Sequence, residues 1–367
     1  MSNLFKDIYS KSFYATFSET MALTIPSFDK EVFDSLIFNN EFAGYELKER
    51  IIHTAKVLHH FLSGDFGEAA ETIKQLIANL RIAGIKEKSI EYMFFPEYVS
   101  MYGIHDYENS IPAFEYITQF TSCEFAVRPF ILRYEDKMLA QMLNWSTHSN
   151  NMVRRLASEG SRPRLPWAMA LPNLKKDPTP ILPILNNLKS DSCEIVRRSA
   201  ANNLNDISKD NPDFVIELAK NWQGKSKETN ALIKHACRTL LKQGNPEALA
   251  LFGFDSKNIA LSDFKIATPT VGIGDALAFS FSVTNNNPVP KMLRLEYGLY
   301  YKKSNGELSR KVFKISEREI KSNMLYEIVR NQSFKPITTR KFYPGEHQLS
   351  IIINGRESQK LAFELRE

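Results

Sequence analysis

The densest run of residues able to do chemistry is the stretch 151–167, NMVRRLASEGSRPRLPW. Glu159 is a lone carboxylate there among Arg154, Arg155, Arg162 and Arg164. Arg155 and Glu159 stand four residues apart, so on a helix they share one face. Two readings are open: a structural ion pair at a helix end, or an anion held inside a cationic groove. Trp167 follows Pro163 and Pro166, which stiffen the loop. Its ring either packs into a core or presents its face to a cationic base or ribose. Glu124 sits among apolar residues in TSCEFAVRPF. It is either the start of a helix at Phe125 or a carboxylate placed for function. Asp206 closes a second arginine-rich segment, as a turn residue or as a site carboxylate.

Other chemistries lack their residues. No GxxxxGK[ST] or GxGxxG phosphate loop is present, and no Gly-x-Ser-x-Gly elbow. The seven histidines (His53, His59, His60, His105, His148, His235 and His347) form no HExxH or Cys/His spacing, so no metal is expected. No cofactor is expected either. Cys123, Cys193 and Cys237 are odd in number and far apart; a disulfide framework is not expected, and a reducing cytoplasm is. No apolar run approaches the ~20 residues of a membrane span. The start, MSNLFKDIYSKSF, lacks the apolar core of a secretory signal.

The elements that must position these groups read as helices over the first two thirds. Apolar residues recur at helical spacing over Asn3–Phe17, Glu46–Leu62, Gly67–Leu80, Ala113–Phe120, Glu135–Asn144 and Asn151–Ser158. Asp106, Ser149 and Ser192 are candidate N-caps, and Gly160 and Gly224 suit helix ends. Val153-Arg154-Arg155-Leu156-Ala157 recurs as Val196-Arg197-Arg198-Ser199-Ala200, 43 residues later, and more weakly as Ile233-Lys234-His235-Ala236-Cys237. A period near 40 with a helix pair per unit is the signature of HEAT-type repeats. Stacked pairs would line the basic residues along one concave side. Charge is uneven across the 367 residues: 10 basic against 18 acidic over 1–124, 20 against 13 over 125–258, and 17 against 11 over 259–367. Basic segments rich in arginine suit phosphate oxygens, and nucleic acid is the specific partner they favour.

The period changes to two near residue 258. Leu277, Phe279, Phe281 and Val283 alternate with small residues, and the runs Met292–Tyr301 and Lys311–Ile315 are β-rich. Asn305-Gly306, Pro344-Gly345 and Asn354-Gly355 mark turns, the last closing a hairpin between 347–353 and 359–365. About seven strands in roughly 100 residues predict an immunoglobulin-like antiparallel β-sandwich. The expected fold is an α + β multidomain chain, with an all-α HEAT-like solenoid over 1–257 and the sandwich over 258–367.

The run VRRLASEGSRPRLPWA, followed by LPILNNLKSDSCEIVRRSAANNLNDISKDNPD, resembles the HEAT-like-repeat DNA alkylation-repair glycosylases. The C-terminal β region makes the chain similar to their AlkC branch rather than to the shorter AlkD branch. The resemblance covers essentially the whole chain and is strongest over 120–255. It implies a monofunctional glycosylase that acts as a monomer on duplex DNA. Such an enzyme removes cationic 3-methyladenine, 3-methylcytosine and 1-methyladenine without deep base flipping and leaves an abasic site. The family's acidic residues match Glu159 and Glu124, its aromatic matches Trp167, and its DNA-contacting positions match Arg155, Arg198 and Asp206. With Arg154, Arg162, Arg164 and Arg197, these arginines form the expected DNA-binding set. AlkD-type members use a catalytic Asp where this chain has Glu. The competing readings are a non-catalytic HEAT-repeat adaptor for DNA or protein, and an RNA-binding protein.

Overall fold

A computed structural model describes residues 4–87, 89–337 and 340–367. Fifteen α-helices precede nine strands among them. The helices are α1 Lys11–Thr24, α2 Lys30–Ile37, α3 Leu47–Phe61, α4 Phe66–Ile82, α5 Phe94–Tyr102, α6 Tyr107–Thr118, α7 Val127–Trp145, α8 Asn151–Gly160, α9 Pro172–Lys176, α10 Leu182–Leu188, α11 Glu194–Ile207, α12 Pro212–Trp222, α13 Lys227–Ala236, α14 Arg238–Gln243 and α15 Pro246–Leu251. None of the described helices is long and apolar enough to cross a membrane. Two compact units emerge. One runs to Val215 and takes in Trp222–Ala236; the other takes Ile216–Asn221 and Cys237–Glu367.

Local chemistry sets the helix ends. The first run breaks at Ser10, whose hydroxyl accepts from Phe13 N and starts α1 there, after a short 3₁₀ turn over Phe5–Ile8. Asn3, where that run was expected to begin, lies outside the described residues. The run expected from Glu135 is the second half of α7: the helix begins at Val127 and is interrupted at Glu135, where φ is 39°. Asp106 caps α6 as its spacing predicts. The caps expected at Ser149 and Ser192 shift by one residue. Asn150 caps α8 through its side chain, and Cys193 precedes α11 without a side-chain cap. The third repeat copy is corrected more deeply. Val153 and Val196 are each third in their helix, whereas Ile233 lies in the last turn of α13. The match of residue types there is not a match of position, because α13 starts earlier relative to its apolar residues.

The second unit carries strands β1 Ile259–Ile266, β2 Thr270–Gly272, β3 Ala276–Asn285, β4 Lys291–Lys302, β5 Leu308–Ile320, β6 Leu325–Ser333, β7 Gly345–Ile353, β8 Arg356–Glu357 and β9 Leu361–Arg366. They form one sheet in the order β1-β3-β6 and another in the order β2-β9-β7-β4-β5, with β8 on β7. The pairing is antiparallel apart from β2 against β9, which is parallel. The alternating residues Leu277, Phe279, Phe281 and Val283 are buried with Leu293, Leu295, Leu299, Leu349 and Ile351, as the period of two requires. Asn354 and Gly355 both have positive φ, the geometry a two-residue hairpin turn needs.

Candidate active site

The α8–loop corner holds the site together. Asn150 Oδ1 accepts from Met152 N at 2.8 Å and starts α8, whose Val153, Leu156 and Ala157 are buried. The last carbonyls of a helix need outside donors, and here side chains supply them. Ser161 Oγ donates to Ala157 O at 2.7 Å, Asn203 of α11 donates to Ser158 O at 2.8 Å, and Arg128 of α7 donates to Gly160 O at 2.9 Å. Arg128 is fully buried, and its guanidinium also reaches the carbonyls of Arg162 at 2.8 Å and Met169 at 2.7 Å. Burial pushes its pKa down to about 10, with Arg162 adding to the effect and Asp206, Glu124 and Glu159 opposing it.

Glu124, Arg155, Glu159, Arg162 and Trp167 all wall one cavity of about 550 Å³, whose other walls are mainly apolar, among them Met93, Phe125 and Ile195. The pairing differs from the expected Arg155–Glu159 contact. Arg155 Nη2 meets Glu124 Oε2 at 2.8 Å, and Ser122 Oγ bridges the two by accepting from Arg155 at 3.1 Å and donating to Glu124 at 2.7 Å. Glu159 accepts from Arg162 Nη1 at 2.6 Å and from Ser199 Oγ at 2.6 Å. Arg162 Nε donates at 2.8 Å to Asp206. Burial alone would lower the Arg162 pKa, but the carboxylates of Asp206 and Glu159 hold it above the ordinary range. A guanidinium shared by two buried carboxylates is a fixed charge.

Asp206 is 1% exposed and does not wall the cavity; it accepts from Arg162 and Lys209. Its place is beneath Arg162, as a support. Trp167 is the reverse of a core residue: it is 68% exposed, has φ 65° and stands at the cavity wall.

The remaining arginines divide. Arg154 forms a two-bond pair with Asp191 at 2.6 and 3.0 Å and donates to the carbonyls of His148 and Ser149. Arg197 donates to the carbonyls of Asp191 and Ser192 at the equivalent offsets. Arg164 pairs with Asp210 at 2.6 and 2.5 Å, which holds the Asp210 carboxyl below its usual range. Arg198 has a 67% exposed side chain and a longer contact, 3.2 Å, to Glu194. It borders a cleft of about 260 Å³ with Arg197, Glu194, Glu228 and His235, so the charge there is mixed rather than uniformly positive.

Ser122, Ser199, Arg128 and Lys48 of α3, which also lines the cavity, are missed by the sequence reading. Ser199 did leave a signal. It stands where the first repeat has the buried Leu156, and a polar residue at an interior repeat position needs a partner.

Residues 92–240 match a family model described as DNA alkylation repair enzyme. Residues 260–367 match the C-terminal Ig-like domain described for the uncharacterised protein YhaZ. The chain is 41% identical over 361 residues to YhaZ of Bacillus subtilis (strain 168), covering 98% of this chain and 99% of that one. It is similar to the structure of the Pseudomonas fluorescens alkylpurine DNA glycosylase AlkC bound to DNA containing an abasic site analog. The TM-score is 0.93 and the identity 34%, with 99% of each chain covered. A full-length match at that identity, in both the helical region and the Ig-like domain, places this chain in the AlkC-type DNA alkylation-repair family.

Proposed function

We propose that this protein is a monofunctional DNA glycosylase that hydrolyses the N-glycosidic bond of cationic alkylated bases in duplex DNA. The substrate class is 3-methyladenine, 3-methylcytosine and 1-methyladenine, engaged without deep base flipping. The observation that carries the reading is the convergence of Glu124, Glu159, Arg155, Arg162 and the exposed Trp167 on one largely apolar cavity. The relative AlkC, bound to DNA containing an abasic site analog, supports a DNA partner, and the protein acts as a monomer.

The chemistry follows from charge. A base methylated at a ring nitrogen is already a cationic leaving group, so no general acid is required. As the bond breaks, positive charge moves onto the sugar. A carboxylate ~4 Å from a unit positive charge is worth about 4 kcal/mol at an effective dielectric near 20, or about 10³ in rate. The guanidinium partners of Glu124 and Glu159 offset part of that field, so each carboxylate contributes about 10²-fold. They also fix the carboxylates in place before reaction, which avoids reorganisation in the transition state. One of the two orients the attacking water. Trp167 offers a ring face to the cationic base, Asp206 holds Arg162, and Arg198 is the phosphate contact.

The test is excision from a duplex oligonucleotide bearing one 3-methylcytosine, scored by alkali cleavage at the abasic site. Wild type is expected to release the base, and Glu159→Gln to slow release about 10²-fold with duplex affinity unchanged. Equal rates would move the catalytic role to Glu124. No release by wild type, with 3-methyladenine DNA also inert, would sink the glycosylase reading in favour of a non-catalytic adaptor.

A further inference from the structure

Trp167 lies near the far end of the loop that leaves α8, with a backbone conformation that a bulky residue rarely adopts. Such a conformation persists only where surroundings hold it. The loop is held by cations on its carbonyls. Arg128, fully buried on α7, donates to the carbonyls of Gly160, Arg162 and Met169. These grips fix the chain on either side of Trp167.

The Trp167 carbonyl is held from another element. Lys48 Nζ, on α3, donates to Trp167 O. The same ammonium stands 5.4 Å from the centroid of the Phe125 ring. Lys48 is exposed where Arg128 is buried, so water competes for this grip and not for the others. Lys48, Phe125 and Trp167 together wall both the 550 Å³ cavity and an adjoining chamber of about 170 Å³. The side chain therefore stands where the two spaces meet.

We infer that Lys48 is a positioning residue: a latch on the Trp167 carbonyl that sets the indole across the cavity so that its face can meet the cationic base. The functional consequence rests on the glycosylase reading; the latch itself does not. Lys48 acts through Trp167 and needs no contact with the reacting atoms.

The experiment has an optical arm and a kinetic arm, both on the full chain. The protein has three tryptophans, and Trp145 and Trp222 are buried, so quencher-accessible emission reports Trp167. In Lys48→Met, the nanosecond anisotropy decay of that emission is expected to quicken, and Lys48→Arg, which keeps a cationic donor, to restore it. On the 3-methylcytosine duplex, Lys48→Met is expected to lower kcat about 10-fold, with affinity for undamaged duplex unchanged. In a Trp167→Ala background the same change is expected to add less than 2-fold. Unchanged anisotropy in Lys48→Met overturns the latch. Full additivity with Trp167→Ala, or a weaker duplex affinity with a shallower salt dependence, assigns Lys48 to phosphate binding and also overturns it. If wild type releases no base, the glycosylase reading fails, and the anisotropy arm still decides the latch.

Discussion

Arg154 and Arg197 occupy equivalent places in consecutive repeats, and each turns its guanidinium back onto the two carbonyls five and six residues before it. The repeated Arg is therefore a device for closing the turn ahead of the helix. The next residue in each copy plays a different part. Arg155 neutralises Glu124 in the cavity, and Arg198 extends into solvent. Counting arginines thus overstates the cations able to reach a phosphate. Arg198→Ala should reduce the slope of log affinity against log salt for duplex DNA by about 1, with little change in stability. Arg154→Ala should leave the slope alone and cost about 2–4 kcal/mol, because it strips partners from a mostly buried Asp191 and from two carbonyls. Salt-dependent binding and denaturant unfolding of the two variants would separate the roles, and a reversed pattern would refute the assignment. The sequence made Glu124, Glu159 and Trp167 visible because their types are unusual for their surroundings. It could not show that Arg155 serves Glu124, since that pairing joins residues 31 apart in the chain. Lys48 was hidden more completely. An exposed lysine on an amphipathic helix looks like any other, and its partner is 119 residues away.

At the scale of elements, period was more legible than boundaries. The stripe from Leu47 to Leu62 predicts α3 almost to the residue, and the alternation from Leu277 to Val283 predicts the inner face of β3. The first half of α7 was invisible because Arg128 and Pro129 interrupt its apolar pattern, yet Arg128 is buried there to bind carbonyls. Where two helices meet closely, the sequence shows only a glycine. Gly160, read from its type as a helix end, is also a packing position. A Cβ there would lie 2.6 Å from Val127 Cγ2 and 3.1 Å from Met142 Cε. Val127 is buried and β-branched, so its methyl has little freedom to turn away. Gly160→Ala should therefore cost about 1–3 kcal/mol. The strain would fall on the turn between Glu159 and Arg162, where Arg128 grips the carbonyls of Gly160 and Arg162. The expected result is a lower denaturant midpoint at unchanged slope, together with slower base release. A variant as stable as wild type would mean that α7 and α8 have room to separate.

At the scale of the whole molecule, the switch from helical to alternating period near residue 258 is a change of secondary structure, and the compact units do not divide there. The chain from Cys237 onward, α14 and α15 included, belongs with the strands. The contacts inside that unit are specific. Leu249 of α15 packs over Gly355, where a Cβ would meet its Cδ1 at 2.4 Å, and Gly244 approaches the same turn. Asn354 donates to Asp255 O at 2.8 Å. Leu240, Leu241, Ala248, Leu249 and Phe254 form a small apolar cluster with Ile216. Glycines at both Gly244 and Gly355 allow the helix end and the hairpin turn to touch, and neither side alone makes that requirement visible in the sequence. A fragment cut at the change of period, 258–367, discards this cluster and uncovers the Asn354-Gly355 turn, whereas 237–367 keeps the turn covered and all of the cluster but Ile216. Burying a side chain the size of Leu249 or Phe254 is worth roughly 1.5–3 kcal/mol. At this fragment size, that raises the melting temperature by several degrees per kcal/mol. The longer fragment should therefore melt at least about 5 °C above the shorter one, measured by circular dichroism at matched concentration. Leu249→Ala in the longer fragment should remove much of the difference. Equal melting temperatures for 237–367 and 258–367 would show that the two short helices do not stabilise the sandwich, and that the sandwich is complete where the strands begin.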